Sequence, residues 1–186
     1  MYDFQDILEK GPYLIVVSGA PGSGKSTLAK IIAERLRMVH IERDVPLEHF
    51  YQLNKNDESY SRADIGIKRV YAIVQNILIN EASVVMDATL YKGVSESDIM
   101  AFTKAATLIN VHCKGNKEEQ VVRFRNREVN RDGNKPDWLD SHMQVLEDIY
   151  EDVAYPLELN CPLFEFDTNH EYSPSVEDFV NWLLEG

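Results

Sequence analysis

Eight residues near the N-terminus carry the clearest chemistry. Gly19, Ala20, Pro21, Gly22, Ser23, Gly24, Lys25 and Ser26 match G-x-x-x-x-G-K-[ST] in full, with Thr27 following. Glycines at these places let the backbone turn sharply and aim several N–H groups at one anion. A helix starting near Lys25 adds the positive end of its dipole. The Lys25 ammonium suits the β- and γ-phosphates of a nucleotide, and the Ser26 hydroxyl suits Mg²⁺, which takes oxygen ligands. The context fits the pattern: an apolar, β-branched run (13–18) precedes the motif and an amphipathic segment (25–37) follows it. The expected cofactors are ATP and Mg²⁺.

Three further groups bear on the chemistry. Asp44 follows a short apolar segment (38–41), where a carboxylate can accept a proton from an attacking hydroxyl or cap a following helix. Asp87 ends the run Val84-Val85-Met86 and is a candidate for the metal shell. Arg123, Arg127 and Arg131 recur every four residues and share one face of any helix that persists through them. Their mutual repulsion would be relieved by an anion, as in a lid closing on a triphosphate. The turn-rich stretches 54–61 and 131–137 read as loops at a site.

Two other classes of nucleotide-binding protein fit less well. Residues 54–57 spell N-K-x-D, a guanine-reading string, but too early in the chain, and no D-x-x-G occurs. No glutamate stands beside Asp87 to activate water, as it would in a motor ATPase.

The elements that must position these groups alternate. Strand patterns at 13–18, 38–41, 83–86, 107–113 and 163–166 are separated by helical periodicity at 25–37, 62–80, 95–105, 117–130 and 138–151. A last helix is expected to open at Ser173-Pro174 and run to 184. Such alternation predicts an α/β, three-layer fold with a mainly parallel five-stranded sheet and a small helical lid. The 186 residues are expected to form a single domain (1–186), with the arginine-bearing lid around 123–140.

Composition narrows the partners. A formal net charge of −12 disfavours nucleic acid as a general partner. No apolar run approaches the length of a membrane span. Cys113 and Cys161 have no metal-like spacing and read as free thiols. A cytoplasmic protein is the expectation.

The sequence from Gly19 to Thr27, Arg43-Asp44, Val85-Met86-Asp87-Ala88-Thr89 and the arginines from Arg123 onward resemble the polynucleotide kinase-like P-loop kinases. That group includes zeta-toxin-type and antibiotic-phosphorylating enzymes. The resemblance implies transfer of the γ-phosphoryl group of ATP to an alcohol, with Asp44 as catalytic base and Lys25 and Arg127 neutralising the transferred charge. Polynucleotide-phosphorylating members carry a basic residue soon after the catalytic aspartate, whereas Val45-Pro46-Leu47-Glu48 follows Asp44. With the net charge, this favours a small hydroxyl-bearing acceptor, neutral or cationic. The alternatives are a nucleoside or polynucleotide kinase, and a nucleotide-driven switch without acceptor chemistry.

Overall fold

The computed structural model describes residues 11–43, 62–129 and 136–185, with side chains in the second and third stretches from 67 and 143. Among them five strands form one wholly parallel sheet in the order β2-β3-β1-β4-β5. The strands are β1 (Tyr13–Gly19), β2 (Val39–Glu42), β3 (Val84–Asp87), β4 (Thr107–Lys114) and β5 (Leu163–Asp167). The helices are α1 (Lys25–Leu36), α2 (Arg62–Ile79), α3 (Glu96–Met100), α4 (Lys117–Val129), α5 (Pro136–Val153) and α6 (Val176–Glu185).

β1 lies at the centre because every one of its seven residues is apolar or small enough to bury. Its alternation divides the core. Tyr13, Ile15 and Val17 face α1 and α6, packing with Leu28, Ile32, Leu36, Phe179 and Leu183. Leu14 and Val16 face the other layer, with Val70, Val74 and Leu78 of α2 and Ile99 of α3. A sheet buried on both faces needs continuous apolar strands, as these are.

A third, smaller cluster joins Ala20 of the phosphate loop to Phe124 of α4 and to Leu146, Tyr150 and Val153 of α5. The two helices of the expected lid are thus seated on the loop itself. The expected loop 131–137 falls largely between these helices, and residues 130–135 lie outside the described residues, as do Asp44 and the loop 54–61.

Three local expectations change. The helix expected at 95–105 is a five-residue helix followed by a 3₁₀ turn, Ala101–Lys104. The amphipathic segment expected at 25–37 forms a helix that ends at Leu36 and leaves Ile31 37% exposed. The last helix begins at Val176 rather than at Ser173-Pro174. Ser173 exchanges two backbone hydrogen bonds with Asp167, at 2.7 and 3.0 Å, as a bridge closing the turn after β5. A residue preceding proline favours such extended backbone. Ser175 then caps α6: Asp178 N–H donates to its Oγ, and its own N–H donates to the Asp178 carboxylate.

A buried pair lies under the loop, between β1 and β4. His112 Nε2–H donates to the Ala154 carbonyl at 3.0 Å, so Nδ1 accepts from the Ser18 hydroxyl at 3.0 Å. Burial pushes the His112 pKa below its ordinary value, outweighing the bond to Ala154. The unfolded chain therefore binds this proton more tightly than the fold does. The stabilising effect is fully present above the unfolded pKa of about 6.5 and lost as pH falls below it. Urea unfolding from pH 7.5 to 5 should show a decline in stability that His112→Gln flattens. An unchanged slope in the variant would remove His112 from that decline.

Candidate active site

The phosphate loop takes its shape from backbone conformations that a side chain would disturb. Gly22 and Gly24 have φ of 83° and 81°. A Cβ on Gly22 would lie 2.0 Å from the backbone oxygen of Gln120 in α4, so the loop and the lid helix meet in direct contact there. Gly24 is the N-cap of α1 in the left-handed region and supplies no side-chain hydrogen bond. A cap of this kind adds no side-chain acceptor to the first turn of α1. Ser23 Oγ is buried without a hydrogen-bond partner. These features fit the anion that the sequence motif calls for.

Asp87 is brought to the loop by strand register. It pairs with Val17 of β1, two residues before Gly19. Its carboxylate is 2% exposed. One oxygen accepts from Ser26 Oγ at 2.6 Å. A hydroxyl and a carboxylate oxygen are hard donors of the kind that would suit Mg²⁺. Among the described residues no group of three or more His, Cys, Asp or Glu gathers to hold a metal.

The other oxygen of Asp87 accepts from His40 Nε2–H, also at 2.6 Å. Sequence spacing gave no role to this histidine. Its register explains the contact: His40 on β2 pairs with Val85, so it lies diagonal to Asp87 across neighbouring strands. Outer partners of this kind orient a ligating carboxylate. His40→Ala should raise the Mg²⁺ concentration needed for half-maximal nucleotide binding by about 10-fold, and His40→Asn should restore part of the loss. Titration of Mg²⁺ at fixed ATP by calorimetry checks this; an unchanged Mg²⁺ dependence would leave His40 as a packing residue only.

The arginines divide. Arg123 donates to the Thr168 carbonyl at 2.7 Å, to the Asn169 carbonyl, and to Glu119 at 3.0 Å. It ties α4 to the turn after β5. Arg127 has a side chain 53% exposed, over the Phe124 ring at 5.3 Å, with Nε donating to the buried Glu128 at 3.0 Å. Arg131 lies outside the described residues. Two arginines four residues apart on one helix are therefore held by different partners, one by the body of the fold and one at its surface.

Cys113 lies directly behind the loop, its carbonyl 2.7 Å from where a Cβ on Gly19 would stand. Burial pushes its thiol up to about 12. It is a packing residue with no thiolate at neutral pH.

Comparison with known proteins agrees with this architecture. The chain superposes on a protein from Chloroflexus aurantiacus j-10-fl over 94% of each chain, with 24% identity and a TM-score of 0.75. A gluconokinase from Sinorhizobium meliloti 1021 matches over 94% of this chain and 90% of its own, with 21% identity and a TM-score of 0.57. A chain of the Pnkp1/Rnl/Hen1 RNA repair complex shares 26% identity over 79% of this chain and 48% of its own, with a TM-score of 0.55. No curated protein sequence matches. Among the described residues no helix is long and apolar enough to cross a membrane. The fold is that of the P-loop kinases, and the AAA_33 profile, described as an AAA domain, matches residues 14–151, so the chain belongs to that family.

Proposed function

We propose that this protein transfers the γ-phosphoryl group of ATP to a hydroxyl of a small molecule. The observation that carries the reading is the connected group His40–Asp87–Ser26 beside an uncapped phosphate loop. A loop that only binds phosphate needs no buried, doubly hydrogen-bonded carboxylate next to its serine. A site that spreads charge over a metal during transfer does. The fold neighbour named as a gluconokinase supports a small acceptor.

In this reading ATP lies over residues 19–27, and Ser26 and Asp87 would hold Mg²⁺, which would supply Lewis-acid stabilisation. Lys25 and the half-exposed Arg127 offset the charge that develops on the moving phosphoryl group. Arg123 is a positioning residue that fixes α4 against the turn after β5. Asp44 is proposed as the base that takes the acceptor proton as its oxygen attacks phosphorus. The remaining rate enhancement comes from alignment of the two substrates.

The test compares Asp44→Asn and Lys25→Ala with wild type. Transfer of labelled γ-phosphate is measured on pooled aminoglycosides, nucleosides, sugars, sugar acids and 5′-hydroxyl oligonucleotides. Asp44→Asn should lower transfer by about 10²- to 10⁴-fold while ATP binding persists, and Lys25→Ala should weaken both. Full function in Asp44→Asn would return the protein to the nucleotide-switch reading. Labelling confined to oligonucleotides, with steep salt dependence, would place it among polynucleotide kinases.

A further inference from the structure

One charged group at the sheet edge is left unused by the phosphate site. Arg43 follows Glu42, the last residue of β2. Its backbone N–H donates to the Asp87 carbonyl at 3.1 Å, which fixes it at the edge that carries the phosphate loop. With the strand order β2-β3-β1, it stands two strands from that loop. At about 4.8 Å per strand, the Arg43 and Gly19 backbones are about 10 Å apart. Arg43 Nε is buried and has no hydrogen-bond partner.

A guanidinium stays charged in any protein, and a buried donor almost always meets an acceptor. The Tyr71 phenol of α2 lies within electrostatic reach of both Arg43 and Asp98. Burial and the charge of Asp98 raise the Tyr71 pKa to about 12, against the opposing effect of Arg43. Tyr71 therefore stays neutral and offers Arg43 no counter-charge. The Tyr71 ring is itself fixed, edge-on to Phe102 at 5.7 Å. The result is a cation whose backbone is fixed at the strand end beside Asp87 and whose Nε is an unfilled donor, within electrostatic reach of Tyr71 of α2.

We propose that Arg43 binds a carboxylate of the phosphate acceptor, which makes the acceptor a small hydroxy acid. The proposal rests on the kinase reading above. Nε and one terminal N–H of arginine form a fork that matches the two oxygens of a planar carboxylate. A dianionic phosphate would fit the same fork, but Asp98 nearby and the net charge of −12 favour the single charge. The span of about 10 Å between strand ends leaves room for a phosphoryl group and a sugar-sized acid. A hydroxy acid is the alternative to the neutral or cationic acceptor expected from the residues that follow Asp44. That expectation weighed the residues after Asp44, whereas the cation stands immediately before it.

Two measurements test this on the full chain with Mg²⁺ and a non-hydrolysable ATP analogue or ATP. The first follows the Nε–Hε resonance of Arg43, assigned by its loss in Arg43→Lys. Glycerate and gluconate are titrated against glycerol and glucitol, with glycerol 3-phosphate as a third arm. A saturable shift with the acids, at least about 10-fold weaker with the polyols, is expected. No shift with any carboxylate overturns the proposal, and a shift with glycerol 3-phosphate alone overturns it in favour of a phosphorylated acceptor.

The second compares phosphoryl transfer to the same pairs. Arg43→Gln should raise KM for the acid by about 10- to 100-fold, with kcat changed much less. Equal use of acids and polyols by wild type and Arg43→Gln would overturn the role of Arg43 and leave the kinase reading standing. A carboxylate-dependent shift without transfer to any acceptor would retain the anion site and remove the kinase reading.

Discussion

Replacing Asp87 with alanine is expected to lower phosphoryl transfer by about 10³-fold while leaving metal-free ATP bound by the loop. The carboxylate is almost wholly buried, and each of its oxygens serves one neighbour, Ser26 or His40. Its loss would remove one proposed anchor of the metal shell and leave two part-buried donors without an acceptor. Asp87→Asn separates these effects. The amide keeps an oxygen for one donor but lacks the negative charge, so it should retain more stability than alanine and recover little activity. Calorimetric ATP binding with and without Mg²⁺, alongside transfer rates, checks this. Equal Mg²⁺ dependence in wild type and Asp87→Asn would contradict the assignment.

Gly22→Ala carries the second large effect. The residue sits at φ 83°, where a side chain costs about 1–2 kcal/mol. Its Cβ would also lie 2.0 Å from the backbone oxygen of Gln120, which has no flexible end to move aside. Gln120 is itself held, accepting from the Tyr150 hydroxyl at 2.8 Å. Either the loop or α4 must shift, and both shape the nucleotide site. We expect the melting temperature to fall by roughly 4–8 °C and ATP affinity to fall by about 100-fold. Gly93→Ala is the control: its φ is 79°, but no atom lies within 4 Å of its added Cβ. Similar losses of ATP affinity in the two variants would show that backbone strain, not the contact with α4, is the cause.

These expectations draw unevenly on the sequence. The fold was readable because β1 carries a continuous apolar run from Tyr13 to Val17 and the helices repeat at three and four residues. Asp87 was readable as the polar end of an apolar strand. His40 was not, because its contact depends on the register between β2 and β3, which pairs it with Val85 and so places it diagonal to Asp87. The four-residue spacing of Arg123 and Arg127 located both on α4. It carried no information about the turn after β5, whose carbonyls take the Arg123 guanidinium. The start of α6 was misplaced for a similar reason: the bridge between Asp167 and Ser173 joins residues that no local pattern connects. Arg43 was legible only as part of a motif beside Asp44, and its buried, unpartnered Nε is a property of packing.

Phosphoryl transfer by this protein is tested by the stoichiometry of phosphorylated acceptor formed per ATP consumed, measured with the wild-type protein and the acceptor pools. A kinase should form one product molecule per ATP, with little ATP consumed when no acceptor is present. ATP hydrolysed to phosphate at the same rate with and without acceptors, or ATP bound and never turned over, would contradict such transfer.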